Sequence, residues 1–486
     1  MGAFSPKGHI PALLLAACLA APLSAEPTAP GDLRELIYAD DMEAVDHAFA
    51  RLDAAARADD GEWRTVRDAF GIFSTTDRRI DAFSRKWLLK EPDSPYARIA
   101  RAWLLGHFAK IVRGGDFAGR TAEENLSRSE DIWRRVHAFA APVAEADPGF
   151  APAMDIMLRE AFYSRSDAEL LKLLDRALEA RPDPRYVGLA SFRFLSQWGA
   201  TRASAGSFCV NYASVGALGT PRDCMALIDF HSSRPIFDKE ESLRIIRGSP
   251  PDRFLDEKFR LAMDGKDYQT AARMVLDGRV NAPLYDRAFL ARGFHRPDIL
   301  EEERDRRLAL DPYNPSVLIY ALYQSDPIGR YIGEHGEYPP KGAIVRSEQD
   351  RRDDETLKTA LTLFPRSPLL WRLEARRLQT IPIDMSDIGE VRKANRVAFE
   401  IAEKVLHLSP GDPEALYGAA HQAAVSLQYV TDSEEVCRYA GAIRDFMEGC
   451  TVLGAVVTGC SDYWIQSGQF RALLDAPRVK AACGTE

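Results

Sequence analysis

Apolar positions recur along this chain at helical spacing. Leu33, Leu36, Ile37, Ala44, Val45, Ala48, Leu52 and Ala55 form one stripe with a period of about 3.6 residues, which predicts an opening amphipathic helix. Ser74-Thr75-Thr76-Asp77 then offers cap oxygens to a helix whose apolar face is Ile80, Phe83 and Trp87. Farther on, Glu302 with Arg306 and Glu303 with Arg307 read as i,i+4 pairs on a solvated helix face. Alternation with a period of two is absent over any strand-length run. The pattern predicts an all-α chain without a significant β-sheet.

The helices are punctuated by a recurring junction. It reads Leu308-Ala-Leu310-Asp-Pro312-Tyr-Asn314-Pro315, then Leu361-Thr-Leu363-Phe-Pro365-Arg-Ser367-Pro368, then Leu406-His-Leu408-Ser-Pro410-Gly-Asp412-Pro413. Trp87-Leu-Leu89-Lys-Glu-Pro92-Asp-Ser94-Pro95 is a looser copy, and Pro182-Asp183-Pro184 a shortened one. The first Pro cannot continue a helix and stops the one before it. Asn, Ser or Asp supplies the cap of the next helix. The second Pro sits where its missing N–H costs nothing. Each copy is a helix stop, a short turn and a helix start.

After the junctions, small and aromatic residues alternate at helical spacing, as in Ala415-Leu416-Tyr417-Gly418-Ala419-Ala420 and Leu370-Trp371-Arg-Leu373-Glu-Ala375. With Gly265-Lys-Asp267-Tyr268-Gln-Thr-Ala271-Ala272, these segments resemble tetratricopeptide-like repeats. That resemblance implies an α-solenoid of helix pairs. Its spacing here is 53 residues from Pro315 to Pro368 and 45 from Pro368 to Pro413, which makes the array irregular and degenerate. In the N-terminal half, Trp87, Pro92, Ser94, Pro95, Ala97, Ala100, Arg113-Gly114 and Phe194-Leu195-Ser-Gln-Trp198-Gly199 resemble a bacterial exported domain family of unknown function. That similarity covers residues 33 to 215 and implies helices of the same kind, with no chemistry attached.

Two stretches interrupt the helical pattern. Residues 326–345, with four Gly and three Pro, and the Gly- and Ser-rich run 199–221 read as loops. The domain organisation expected is a leader at 1–25, an N-terminal helical domain at 26–245, degenerate repeats at 246–430 that carry the 326–345 loop, and a Cys-rich helical cap at 431–486.

Charge and cysteine content then place the chain. Lys and Arg number 63 against 72 Asp and Glu, a net charge of −9, so no bulk attraction draws it to nucleic acid or anionic lipid. Lys7, the apolar run from Ala12 to Ala21 and the small residues ending at Ala25 have the form of a secretory signal peptide. The run falls short of the roughly 20 apolar residues of a membrane span. Two processing routes stay open: cleavage after Ala25, giving a soluble periplasmic or secreted protein, or lipidation of Cys18 within Leu15-Ala16-Ala17-Cys18, giving an outer-membrane lipoprotein. Cys209, Cys224, Cys437, Cys450, Cys460 and Cys483 remain, an even number that suggests disulfides in an exported chain. Cys209 and Cys224 form a natural local pair. The spacings lack a Cys-x2-Cys zinc pattern.

No catalytic motif is present. There is no His-Glu-x2-His, no nucleophile elbow, no P-loop and no dinucleotide fingerprint, and no cofactor is implied. Acidic pairs such as Asp40-Asp41, Asp59-Asp60 and Asp353-Asp354 read as solvated charges at helix starts. His107 and His137 read as packing residues within helices. In the 326–345 stretch, Tyr331, Glu334, His335 and Tyr338 are the candidate partner-binding set. The function expected is an exported scaffold that binds a protein or peptide partner in the bacterial envelope. Its rival is a periplasmic hydrolase-type enzyme with His335 and a carboxylate as acid and base.

Overall fold

The structure is a computed structural model that describes residues 30–59, 63–114, 121–215, 218–276, 280, 297–322, 327–336, 339, 346–410, 412–453 and 468–484. Every regular element among them is helical. In chain order the first nine are α1 (Pro30–Tyr38), α2 (Met42–Ala58), α3 (Trp63–Gly71), α4 (Arg78–Lys90), α5 (Pro95–Arg113), α6 (Glu123–Ala146), α7 (Ala151–Ser164), α8 (Asp167–Ala180) and α9 (Pro184–Ser191). Then follow α10 (Arg202–Tyr212), α11 (Pro221–His231), α12 (Lys239–Gly248), α13 (Leu255–Asp264) and α14 (Tyr268–Leu276). The remainder are α15 (Pro297–Leu310), α16 (Pro315–Ala321), α17 (Pro327–His335), α18 (Glu348–Leu363), α19 (Pro368–Gln379), α20 (Ile388–Leu408), α21 (Pro413–Leu427), α22 (Ser433–Leu453), α23 (Gln469–Asp475) and α24 (Pro477–Cys483).

The junctions fold as their chemistry requires. Ser94, Asp183, Asn314 and Asp412 each cap the following helix with a side-chain oxygen, and each is followed by Pro at the first helical position. Ser367 stands at the same place before Pro368 without a side-chain cap bond. Most successive helices pack against one another, and α5 also meets α7 directly, as α7 meets α9. The result is an all-α helical-repeat array. One large core runs from Leu33 to Ile228 and includes Trp63, Trp87 and Trp133. No helix among the described residues is long and apolar enough to cross a membrane.

Three expectations are corrected. The opening stripe is two helices, because Asp40 adopts a positive φ of 60° and Asp41 caps α2 through the Ala44 N–H. The 326–345 stretch contains α17: Pro327 starts it and Gly336, at φ 75°, ends it. Likewise the 199–221 stretch contains α10, opened by a Thr201–Ser204 capping box after Gly199. Pro327 and Gly336 bracket α17, and Gly199 precedes α10, so in both places these residues border a short helix instead of abolishing it.

The chain also folds back on itself. Arg34 donates to the carbonyls of Ala309 and Leu310, and Thr75 to that of Leu310. Asp311, in the junction between α15 and α16, accepts from the Thr76 N–H and hydroxyl, both at 2.6 Å, from Asn314 at 2.7 Å and from His107 Nε2 at 2.9 Å. Phe108, Ile111 and Val112 of α5 pack on the small core of Leu318, Leu357, Phe364 and Leu373. Burial would raise the Asp311 carboxyl pKa, but the bonds from His107, Thr76 and Asn314 prevail and hold it below the usual range.

Disulfides join Cys209 to Cys224 (Cα–Cα 5.5 Å) and Cys437 to Cys483 (5.2 Å). The Cys450 side chain, Cys460 and Cys18 lie outside the described residues. The local pairing of Cys209 with Cys224 is the one its spacing suggested. The second bridge closes α24 onto α22.

Candidate functional site: a cationic seam between two helices

Along α5, Trp103, Gly106, Lys110 and Arg113 fall at intervals of three and four residues and share one face. On α7, Asp155, Arg159 and Tyr163 do the same at intervals of four. Gly106 brings the elements together. A Cβ there would lie 2.9 Å from Ile156 Cδ1 and 3.2 Å from the Trp133 ring, so a larger residue would push α5 away.

Aromatic rings form the walls of the seam. The Arg159 guanidinium lies 4.8 Å from the Trp103 ring centre, and that of Arg113 lies 5.0 Å from Trp198 and 5.9 Å from Tyr163. Tyr163 stacks on Trp133 at 5.0 Å, and Phe162 meets the Trp198 ring edge-on at 4.6 Å.

The floor is ionic. Asp155 is fully buried and accepts from Arg67 Nε at 2.8 Å, while Arg67 Nη2 reaches Asp183 at 2.5 Å. Arg185 stands 3.6 Å from the same Asp155. Burial would lower the Arg67 pKa, but Asp155 and Asp183 hold it above its ordinary value.

Two cations above this floor lack acceptors. Arg159 makes no hydrogen bond to a described residue, and its Nε is buried without a partner. Lys110, half-buried, has neither a hydrogen bond nor an ion pair among the described residues. Burial, with the Arg159 charge adding to it, brings the Lys110 pKa down to about 8. Burial also lowers the Arg159 pKa, against the pull of Asp155. Buried cations are ordinarily paired. Here Lys110 and Arg159 stand close enough to perturb one another, with Arg159 over the Trp103 ring.

The residues singled out in the sequence lie elsewhere. Tyr331 and His335 meet on α17: their rings stack at 4.0 Å, and His335 Nδ1 donates to the Tyr331 carbonyl at 3.0 Å. Glu334 is exposed on the same helix, and Tyr338 lies outside the described residues. His107, expected as a packing residue, holds Asp311, and His137 lies 3.5 Å from the Glu160 carboxylate. Asp353, expected to be solvated, is 4% exposed and accepts from Gln349. The seam was not foreseen. Its signal in the sequence is the pairing of Lys110 and Arg113 with Trp103 on one helical stripe, and of Arg159 with Tyr163 on another.

No protein-family model matches the chain, and no curated protein matches it. Among solved structures it is similar to the crystal structure of yeast Tom70, at 12% identity and a TM-score of 0.34, over 94% of this chain and 98% of that one.

Proposed function

We propose that the protein is an exported helical-repeat scaffold that binds a protein partner of the bacterial envelope by an acidic, aromatic-flanked segment laid in the α5–α7 seam. The observation that carries this reading is a pair of neighbouring cations without a hydrogen bond or ion pair among the described residues, Lys110 and Arg159, with the Arg159 guanidinium over the Trp103 ring. An acidic side chain would supply the acceptor that the fold withholds, and the neighbouring rings would bury the segment's apolar residues. Export is supported by the leader-like residues 1–25 and by the two disulfides. The test is binding of a library of acidic peptides, followed by fluorescence anisotropy. Peptides with Asp or Glu should bind, and neutralising Arg159→Gln should weaken them about tenfold or more. Equal binding of Asn- and Gln-substituted peptides would refute the reading.

A further inference from the structure

An open cavity of about 790 Å³ lies between α9, α11 and α13. That volume is within the ordinary range for small-molecule sites, about 300–1,000 Å³. Its walls are mostly apolar, among them Leu189, Phe192, Leu195, Leu227, Phe259 and Val280. Phe192, 52% exposed, stands at the mouth of the cavity. Gly188 faces open space, since a Cβ built on it meets nothing within 4 Å.

The charges around the cavity do not balance. Glu257 is buried and closed by His231 Nε2 at 2.6 Å. Asp183 is committed to Arg67 and to the cap of α9. Arg185 has only a share of Asp155, at 3.6 Å and in competition with Arg67. Arg260, exposed on α13, makes no hydrogen bond or ion pair with a described residue and acts on Glu257 through its charge alone. Asp256 is exposed in the first turn of α13, where the helix dipole already favours a carboxylate. Guanidinium groups with spare N–H donors therefore stand on an apolar cavity.

We propose that this cavity binds a monoanionic amphiphile, an apolar chain or ring with a carboxylate head, the body against Leu189, Phe192 and Phe259 and the head on Arg185. The site shares Arg185 with the ionic floor of the seam but uses neither Lys110 nor Arg159, so either reading can fail without the other. A planar carboxylate fits the guanidinium fork and accepts two N–H bonds. Burying the body removes its apolar surface from water at about 25 cal/mol per Å².

The test is isothermal titration of the full chain with dodecanoate and with dodecanol, both below their aggregation concentrations. Dodecanoate should bind at one site per chain, about tenfold tighter than dodecanol. Gly188→Leu fills the cavity from a helical position with free space, and should reduce binding of both by at least about tenfold while the melting temperature holds. Leu189→Trp plugs the same wall and carries the test if Gly188→Leu fails to fold. Arg185→Gln should leave dodecanol unchanged and erase the preference for dodecanoate. Absence of binding, equal affinity for the two ligands, or full affinity in a folded plugged variant would each overturn the proposal.

Discussion

Lys110→Met should make this protein more stable and less functional. The Lys110 ammonium has no acceptor among the described residues and sits beside Arg159, and desolvation brings its pKa from 10.5 to about 8. The native state thus releases a proton more readily than the unfolded chain does. Between pH 8 and 10.5 the unfolded chain binds the extra proton, so stability rises with pH across that window. Below it both states are protonated and the native state bears the full penalty. The shift corresponds to an upper bound of about 3 kcal/mol, and partial contact with water reduces it to the order of 1–2 kcal/mol. Met keeps the length and apolar stem and removes the charge. Urea denaturation at pH 7 should show the variant more stable by that amount, and the wild type should converge on it as pH rises toward 10. Anionic peptides should lose affinity in parallel, and wild-type binding near pH 8.5 should take up protons, seen as a dependence of the titration heat on the buffer. A destabilised variant, or one with the wild-type pH dependence, would refute the account of the seam as a site held open at a cost in stability.

Other perturbations test the frame around it. Asp311→Ala strands the Thr76, His107 and Asn314 donors and should cost about 2–4 kcal/mol in denaturant unfolding; because the folded Asp311 pKa is lowered, the wild-type contribution is full above about pH 4 and lost as pH falls through the folded value. Gly106→Ala asks the Ile156 Cδ1 methyl and the Trp133 ring to give by a few tenths of an ångström, against a helix-propensity gain of about 1 kcal/mol, and should leave stability within about 1 kcal/mol of wild type while changing Trp fluorescence, whereas Gly106→Leu should cost about 1–3 kcal/mol. The double change Cys209→Ala and Cys224→Ala opens a 15-residue loop and should cost about 3 kcal/mol. Both cysteines are buried, so mild reductant should leave that bridge intact in the native protein until global unfolding, as thiol counting would show.

What the sequence revealed was local chemistry. Asn314-Pro315 and Asp412-Pro413 announce helix starts because cap and first turn are built from adjacent residues. The same logic recovers the buried face of α4, with Ile80, Phe83 and Trp87 all fully buried. It misread residues 327–335 within the 326–345 stretch, because glycines bordering a short helix look like those of a loop until φ distinguishes Gly336 from Gly333; residues 326, 337–338 and 340–345 lie outside the described residues. The seam was illegible for a different reason. Lys110 and Arg159 look like ordinary surface cations, and nothing local says that Gly106 lets α5 approach α7 closely enough to bury both. Nor does sequence distance show that Asp311 meets His107, 204 residues away.

That last contact gives the junction at 308–315 a double role. Its Asn314 and Pro315 start α16, while its Asp311 fastens the junction to the edge formed by Thr75, Thr76 and α5. The Pro-containing turn suits both tasks, since it stops the helix and so leaves Asp311 outside the ladder of backbone bonds, where its carboxylate can turn to an outside partner. His107, which receives it, lies one turn before Lys110 on α5. The helix that presents the unpaired ammonium is therefore held on one side by its packing at Gly106 and on another by the returning chain. A cation without an acceptor would ordinarily swing out to water. A helix clamped from two directions fixes the point from which the ammonium reaches, which is the preorganisation that the proposed anion receptor requires.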